Sequence, residues 1–155
     1  MNPVFMNRAI ELAVANVNSG KGGPFASVVV KDGKVVGEGT NLVTSTNDPT
    51  AHAEVVAIRA ACAALGAFQL DGCDLYTTCE PCPMCLGAIY WARPERIFFG
   101  ATAIDAANAG FSDEFIYEQI NVEHGQRQIP FVPMMREATL VCFEAWRAKA
   151  DRVDY

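Results

Sequence analysis

The sequence predicts an α/β domain in which short strands alternate with helices. Two runs rich in β-branched residues flank Asp32-Gly33, and alternating helical and strand-like segments follow them. Such alternation is typical of parallel strand pairing with helices on the faces of a sheet. The chain has 155 residues, of which 51% are hydrophobic and 19% charged, so a single globular domain with its own core is expected.

The N-terminal elements are predicted to be a helix and a β-hairpin. Apolar residues recur at helical spacing, namely Met6, Ala9, Ile10, Ala13 and Val17, before the glycine-rich stretch 18–23, "NSGKGG". The runs "FASVVV" and "KVVGEGTN" then read as strands. Asp-Gly between two such runs indicates a hairpin, because both turn positions tolerate a positive φ.

The middle of the chain predicts two helices and two more strands. A helix is expected with Asp48 as its N-cap, Pro49 at its first position and Gly66 as its end. "CDLYTT" reads as a short strand, and Pro83 is expected to open a helix that runs to about Trp91. "RIFFG" follows as a further apolar strand.

The signals after residue 100 are weaker. "SDEFIYEQI" predicts a short helix capped by Ser112 or Asp113. "IPFVPM" contains two prolines, so a strand there belongs at an edge of the sheet. "ATLVCFEAWRAKA" predicts a final helix, followed by a short tail that ends in Tyr155.

Charge and targeting signals narrow the classes of function. The net charge is −6 and no Lys/Arg cluster occurs, which weighs against a nucleic-acid partner. No apolar run approaches the length of about 20 residues that crosses a bilayer. The N-terminus lacks the charged-then-apolar layout of a signal peptide, so we expect a cytoplasmic protein with reduced cysteines.

Three of the six cysteines lie within "TTCEPCPMC", residues 77–85. A ferredoxin-type cluster needs a fourth cysteine at position 89, where the chain has Ile89. A thioredoxin-like C-x-x-C is compatible with the spacing alone. The deciding feature is "HAE", residues 52–54, about thirty residues upstream.

His52, Cys82 and Cys85 predict a zinc site with an open coordination position. His52 lies in the first turn of one predicted helix, and the two cysteines bracket the start of the next. One imidazole and two thiolates make three protein ligands, and an open fourth position lowers the pKa of a bound water to about 7. Glu54 lies two residues beyond His52, where a carboxylate can carry the proton of that water. The pattern H-x-E…P-C-x-x-C is the signature of zinc nucleobase deaminases.

The alternative is a structural zinc site that a fourth protein ligand closes. Cys79, Cys73 or His124 would supply that ligand. This interpretation leaves Glu54 without a role. We therefore expect Cys79 to be a small buried residue near the site and His124 to be a solvated loop residue.

The sequence resembles the cytidine-deaminase-like superfamily and, within it, the bacterial guanine deaminases. The similarity runs almost from end to end through these stretches: "GGPFASVVVKDG", "TSTNDPTAHAEV", "LGAFQLDGCDLYTTCEPCPMCLGAIYWARPERIFFGA", "DAANAGFSDEFIY", "FEAWR" and the terminal tyrosine. "NAGFSDEFIY" and the tail are specific to the guanine deaminase branch. Alanine at position 26 departs from the family, where glycine is frequent.

The resemblance implies a three-layer α/β/α sandwich with a five-stranded mixed sheet, formed by residues 1–155 as one zinc-dependent deaminase domain. It also implies a homodimer in which C-terminal segments, about 136–155, are exchanged between protomers. The implied reaction is hydrolysis of guanine to xanthine and ammonia, with attack of a zinc-activated water at C2. Related amino-heterocycles such as aminotriazines are further candidate substrates.

The resemblance also implies the roles of individual residues. The zinc ligands are His52, Cys82 and Cys85, and Glu54 is the proton shuttle. The substrate contacts are Phe25 against the ring, Asn41 on the purine edge, the Ala53 backbone, Asp113 and Tyr155. Taken without the resemblance, Asp113 reads as a helix cap, Asn41 as a turn residue and Tyr155 as part of a frayed tail.

Two other functions stay open at this stage. A deaminase of tRNA adenosine or of cytosine would use the same metal chemistry, but RNA binding calls for a basic C-terminal helix, and this one is neutral overall. A catalytically inactive, zinc-stabilised binding module is the candidate from another class.

Overall fold

The structure, a computed structural model, describes residues 2–155. The chain divides into two compact units, with the boundary between Asp113 and Glu114. The first unit contains helices α1 (Pro3–Asn18), α2 (Val43–Thr46), α3 (Ala53–Leu65), α4 (Pro83–Ala92) and α5 (Ala103–Asn108), and strands β1 (Ala26–Lys31), β2 (Lys34–Thr40), β3 (Cys73–Cys79) and β4 (Arg96–Ala101). The second unit contains α6 (Glu114–Ile120), a short 3-10 turn (His124–Gln126) and α7 (Arg136–Ala148).

The four strands of the first unit form one mixed sheet in the order β2-β1-β3-β4. β1 pairs antiparallel with both β2 and β3, and β3 pairs parallel with β4. The predicted Asp-Gly hairpin is confirmed, since Asp32 and Gly33 have φ angles of 50° and 73°. The prediction of parallel pairing holds for β3 and β4 only.

The expected five-stranded sheet is corrected to four strands within residues 2–155. The segment "IPFVPM", which could only have been an edge strand, forms no strand and its residues are exposed. Pro130 and Pro133 have no amide hydrogen, so this segment cannot offer a regular ladder of donors. The mixed α/β character that the resemblance implies is confirmed.

Helices cover both faces of the sheet. On one face, Ala9 of α1 packs with Val28, Val30 and Tyr76. On the other face, α3 and α4 enclose the larger core, whose buried members are Val29, Ala57, Ala61, Leu70, Cys73, Leu75, Ile89 and Ala92. Burial of these apolar side chains holds the first unit together.

Helix α3 lies unusually close to β2 because both elements have small residues where they meet. A Cβ atom added at Gly37 would lie 2.7 Å from the Ala57 oxygen, and one at Gly39 would lie 2.3 Å from the Ala53 oxygen. Both distances are shorter than side chains tolerate. Glycine at these two strand positions therefore sets the distance between β2 and the start of α3.

The start of α3 differs from the sequence prediction. Asp48 does not cap this helix, because its Oδ1 accepts hydrogen bonds from the backbone and the hydroxyl of Thr50 in a local turn. The helix begins at Ala53, with His52 at the N-cap position. Its predicted end at Gly66 is confirmed, with a φ of 62°.

The direction of the strands brings two helix starts together. β2 and β3 run the same way, since each is antiparallel to β1. The next long helix after each strand, α3 and α4 respectively, therefore begins at the same edge of the sheet. None of the helices within residues 2–155 is long and apolar enough to cross a membrane.

The second unit is described by itself. Arg127 donates to the carbonyl oxygens of Val122 and Ile120, and its guanidinium lies 4.6 Å from the ring centroid of Phe131. Helix α7 matches the predicted final helix. The expectation that residues 1–155 form one domain with exchanged C-terminal segments stays a prediction.

Candidate metal centre and active site

The starts of α3 and α4 hold three potential metal ligands together. His52 is at the N-cap position of α3, and Cys82 is at the N-cap position of α4. Cys85 is three residues further along, so its side chain points to the same side as Cys82. Ligand atoms of these three residues lie within 4.8 Å of one another, and no other such cluster of His, Cys, Asp or Glu occurs in residues 2–155.

The distances within this cluster fit a zinc ion. Nδ1 of His52 lies 3.5 Å from Sγ of Cys82 and 3.6 Å from Sγ of Cys85. In a tetrahedral site with Zn–S of about 2.3 Å and Zn–N of about 2.0–2.1 Å, nitrogen and sulfur atoms lie about 3.5–3.6 Å apart. The three side chains could therefore hold zinc through Nδ1 and the two sulfurs.

The electrostatics of the two cysteines differ. A hydrogen bond from Cys85 lowers the pKa of Cys82 to about 4, against the opposing effect of burial. The same hydrogen bond, with burial and the nearby Glu54 carboxylate, raises the pKa of Cys85. The hydrogen bond with Cys82 raises the pKa of His52. In the metal-free site this hydrogen bond therefore favours the thiolate form of Cys82 over that of Cys85.

Glu54 is buried beside the cluster, with only 6% of its surface exposed. Its Oε2 lies 3.3 Å from Sγ of Cys85, and its Oε1 accepts from the Thr77 hydroxyl at 3.2 Å. Burial raises the pKa of this carboxyl group. The carboxylate thus lies next to the ligand cluster without belonging to it.

The three residues considered as a fourth ligand, Cys79, Cys73 and His124, are not members of the ligand cluster. Cys79 is buried and its thiol donates to the carbonyl oxygen of Thr102 at 3.6 Å. Cys73 is buried at the start of β3, near the carbonyl oxygen of Asp71. His124 belongs to the second unit, where it is exposed and its ring stacks on Phe131. The cluster therefore has three protein ligands.

Two predicted substrate contacts lie close to this edge of the sheet. Burial raises the pKa of Asp113, and the charges of Cys82 and His52 also act on it, so its carboxylate lies within electrostatic range of the cluster. Phe25 immediately precedes β1 and meets Phe111 edge to face, with ring centroids 5.0 Å apart. Phe111 was not among the predicted site residues.

The other three predicted substrate contacts are Ala53, Asn41 and Tyr155. Ala53 is fully buried at the first position of α3, where backbone N–H groups have no partner within the helix. Oδ1 of Asn41 accepts from the backbone N–H of Val43, as a turn residue does. Tyr155 lies in the second unit, with its ring 6.4 Å from that of Trp146. Their roles in the site stay predictions.

Comparison with known proteins identifies the family to which this protein belongs. Residues 2–101 match the family model of the cytidine and deoxycytidylate deaminase zinc-binding region. The chain belongs to this family of zinc-dependent deaminases, and zinc is its cofactor. The resemblance to the cytidine-deaminase-like superfamily is thereby confirmed.

Two comparisons with guanine deaminase cover nearly the whole chain. The chain is 57% identical to guanine deaminase of Bacillus subtilis (strain 168) over 151 residues, which cover 97% of each protein. The solved structure of guanine deaminase from Bacillus subtilis matches with a TM-score of 0.97 and 56% identity, covering 100% of this chain and 99% of that one.

More distant relatives share less of the chain. A structure of guanine deaminase from Nitrosomonas europaea matches with a TM-score of 0.67 and 35% identity, over 70% of this chain and 63% of that one. The tRNA-specific adenosine deaminase of Agrobacterium fabrum is 38% identical over 119 residues, which cover 74% of this chain and 78% of the relative.

Proposed function

We propose that this protein is a zinc-dependent guanine deaminase that hydrolyses guanine to xanthine and ammonia. The observation that carries this proposal is the similarity to a guanine deaminase along nearly the whole chain. The tRNA-specific relative covers only 74% of the chain, so the full-length match favours the free base as substrate. The net charge of −6 also weighs against an RNA substrate.

The proposed zinc ligands are Nδ1 of His52 and the sulfurs of Cys82 and Cys85. When bound with an open coordination position, zinc supplies activation of a water at neutral pH. The fit of the three donor atoms to tetrahedral distances supports this assignment. Three ligands, rather than four, are typical of catalytic zinc sites.

The proposed proton carrier is Glu54, and Oε2 is the oxygen that faces the ligand cluster. As the oxygen of water bonds to C2 of guanine, Oε2 takes one proton of that water and passes it to a ring nitrogen beside C2. Oε2 then takes the second proton from the hydroxyl now on C2 and gives it to the amino group, so that the C2–N bond breaks, ammonia leaves and the C2 carbonyl forms. Guanine and one water thereby give xanthine and one ammonia, and Glu54 ends as it began.

The proposed substrate contacts match the chemistry of guanine. The base offers N–H donors, which suit the carboxylate of Asp113, and carbonyl and ring-nitrogen acceptors, which suit the amide of Asn41 and the Ala53 N–H. Phe25 would lie against the ring, and Tyr155 would complete the site. In this role Asn41 donates through its amide nitrogen, while Oδ1 accepts from the Val43 N–H.

The proposal also covers the cellular location and the oligomeric state of the protein. The substrate would be a small purine base in the cytoplasm, with no nucleic acid or membrane involved. A homodimer with exchanged C-terminal segments is part of the proposal, because large apolar side chains of α7 are exposed. Phe143 and Trp146, three residues apart and so on one side of the helix, have 62% and 38% of their surface exposed.

The test is ammonia release from a panel of guanine, guanosine, cytosine, adenine, an aminotriazine and tRNA. We expect guanine to be turned over fastest, and the Glu54→Gln variant to release ammonia from it about 10²–10⁴-fold more slowly. Turnover of tRNA or cytosine without turnover of guanine would overturn the substrate assignment. Bound zinc with no turnover of any compound would support the inactive binding module instead.

A further inference from the structure

Two hydroxyl side chains lie in the core of the sheet, directly behind Glu54. Ser27 on β1 and Thr77 on β3 are cross-strand neighbours in the antiparallel register. Ser27 has 0% and Thr77 1% of its surface exposed. The Thr77 site is otherwise a position for an apolar residue, since Leu75 two residues earlier on the strand is also fully buried.

Ser27, Thr77 and Glu54 form a chain of hydrogen bonds in which each hydroxyl donates toward the carboxylate. The Ser27 hydroxyl donates to Oγ1 of Thr77 at 2.9 Å, and the Thr77 hydroxyl lies 3.2 Å from Oε1 of Glu54. A hydroxyl has one hydrogen and can accept as well as donate. Because Thr77 accepts from Ser27, its own hydrogen is available for Glu54.

The two carboxylate oxygens of Glu54 therefore have different surroundings. Oε1 accepts from Thr77 on the side of the sheet, and Oε2 lies 3.3 Å from Sγ of Cys85 on the side of the ligand cluster. Rotation of a glutamate carboxylate about its last bond is normally broad. A donor on one oxygen restricts that rotation and fixes which oxygen faces the ligands.

We propose that Thr77 is a positioning residue that holds Oε1 of Glu54, so that Oε2 alone carries the proton in the reaction. Ser27 supports this role by directing the hydrogen of Thr77 toward the carboxylate. The inference rests on the proposed function, in which Glu54 is the proton carrier. It adds a residue from inside the sheet, which neither the metal-binding motif nor its spacing indicates.

A purely structural role of Thr77, as one polar contact between β1 and β3, makes a different prediction. In that case a Thr77→Val variant would lose stability, but the enzyme that remains folded would turn over substrate normally. A positioning role predicts a lower kcat with an unchanged KM, because the carboxylate would be misaligned while the substrate contacts remain.

The experiment compares Thr77→Val, Thr77→Ser and Ser27→Ala with the wild-type protein. Thr77→Val keeps the shape of the side chain but removes the hydroxyl, and we expect kcat to fall about tenfold to a hundredfold with KM within about twofold. Thr77→Ser restores the donor and should recover kcat to within about threefold of wild type. Ser27→Ala leaves the Thr77 donor in place but removes the group that directs its hydrogen, so we expect a loss of kcat smaller than that of Thr77→Val.

A double variant controls for stability. Thr77→Val leaves the buried Ser27 hydroxyl without its acceptor, which costs stability by itself. Ser27→Ala combined with Thr77→Val removes that unpaired hydroxyl. We expect the double variant to show the same loss of kcat as Thr77→Val but a higher melting temperature than Thr77→Val. Zinc content of one ion per chain in every variant would show that the ligand cluster is intact.

A crystal structure of zinc-loaded Thr77→Val protein supplies a readout that does not depend on turnover. We expect its Glu54 carboxylate to be rotated or spread over several orientations. Wild-type kcat in Thr77→Val, equal losses in Thr77→Ser and Thr77→Val, or an unchanged Glu54 orientation would each overturn the proposal. If the wild-type protein turns over a base other than guanine, the same kcat ratios apply to that base, and only the proposed substrate fails.

Discussion

The close contact between β2 and α3 makes Gly39→Ala a sharp test of how the fold positions the site. The added Cβ atom would lie 2.3 Å from the carbonyl oxygen of Ala53 and 2.4 Å from the backbone nitrogen of Ala57. Ordinary van der Waals contact begins at 3.4 Å, so about 1 Å of separation is missing. The obstructing atoms are helix backbone, which cannot rotate away as a side chain can.

The expected loss of stability in Gly39→Ala follows from this overlap. Forcing extra volume into a packed core costs about 1–3 kcal/mol, and a collision with two backbone atoms belongs at the upper end. For a chain of this size, a loss of about 3 kcal/mol lowers Tm by about 6–12 °C. The first turn of α3 also carries Glu54 and adjoins His52, so a shift of about 1 Å should lower kcat about a hundredfold.

Thermal unfolding of the zinc-loaded protein and ammonia release measure these two effects. Gly87→Ala is the matched control, because Gly87 is exposed on α4 and a Cβ atom there would have no neighbour within 4 Å. The control should be unchanged or more stable by up to about 1 kcal/mol, from helix propensity alone. The reasoning fails if Gly39→Ala melts within about 2 °C of wild type and retains its kcat.

Four further predictions concern the site itself. Glu54→Gln should keep zinc and fold but lose about 10²–10⁴-fold in kcat, as kinetics and metal analysis would report; near-normal turnover would exclude Glu54 as proton carrier. Cys82→Ser should lose zinc whereas Cys79→Ser retains it, and equal loss in both would refute the ligand assignment. Zinc affinity of metal-free protein should rise from about pH 6 to about pH 8, because zinc displaces protons from Cys85 and His52, whose pKa values are both raised, while Cys82, with a pKa of about 4, is already a thiolate. Calorimetry in buffers of different ionisation enthalpy measures the released protons, and pH-independent binding would contradict the assignment. Removal of residues 151–155 should reduce turnover far more than Tm, and an unchanged rate would remove Tyr155 from the site.

Several features of the fold were predictable from the sequence because their causes are local. The turn at Asp32-Gly33 needs only residues that adopt positive φ, and both do so. Pro83 begins α4 and Gly66 ends α3 for similarly local reasons. The donor set of the metal site was predictable as well, since residue type and i,i+3 spacing decide which sulfurs can converge.

Other features depend on contacts between distant parts of the chain. Asp48 and Pro49 have the local pattern of a helix start, but α3 begins four residues later than Pro49, at Ala53. There Gly39 and Gly37 allow the helix backbone to reach β2. The segment "IPFVPM" has strand-like composition, yet a strand requires a partner edge, and the segment is not paired in the chain.

The sequence by itself determined which atoms can bind zinc and which carboxylate can move a proton, because those properties belong to side-chain chemistry and short spacing. Only the tertiary structure decided how that carboxylate is held. Oε1 of Glu54 accepts from Thr77, 23 residues away in the chain, and Thr77 accepts from Ser27, 50 residues away. The hydroxyls meet only because β1 and β3 pair in one register, and strand pairing at such separation is set by packing of the whole core rather than by any local pattern.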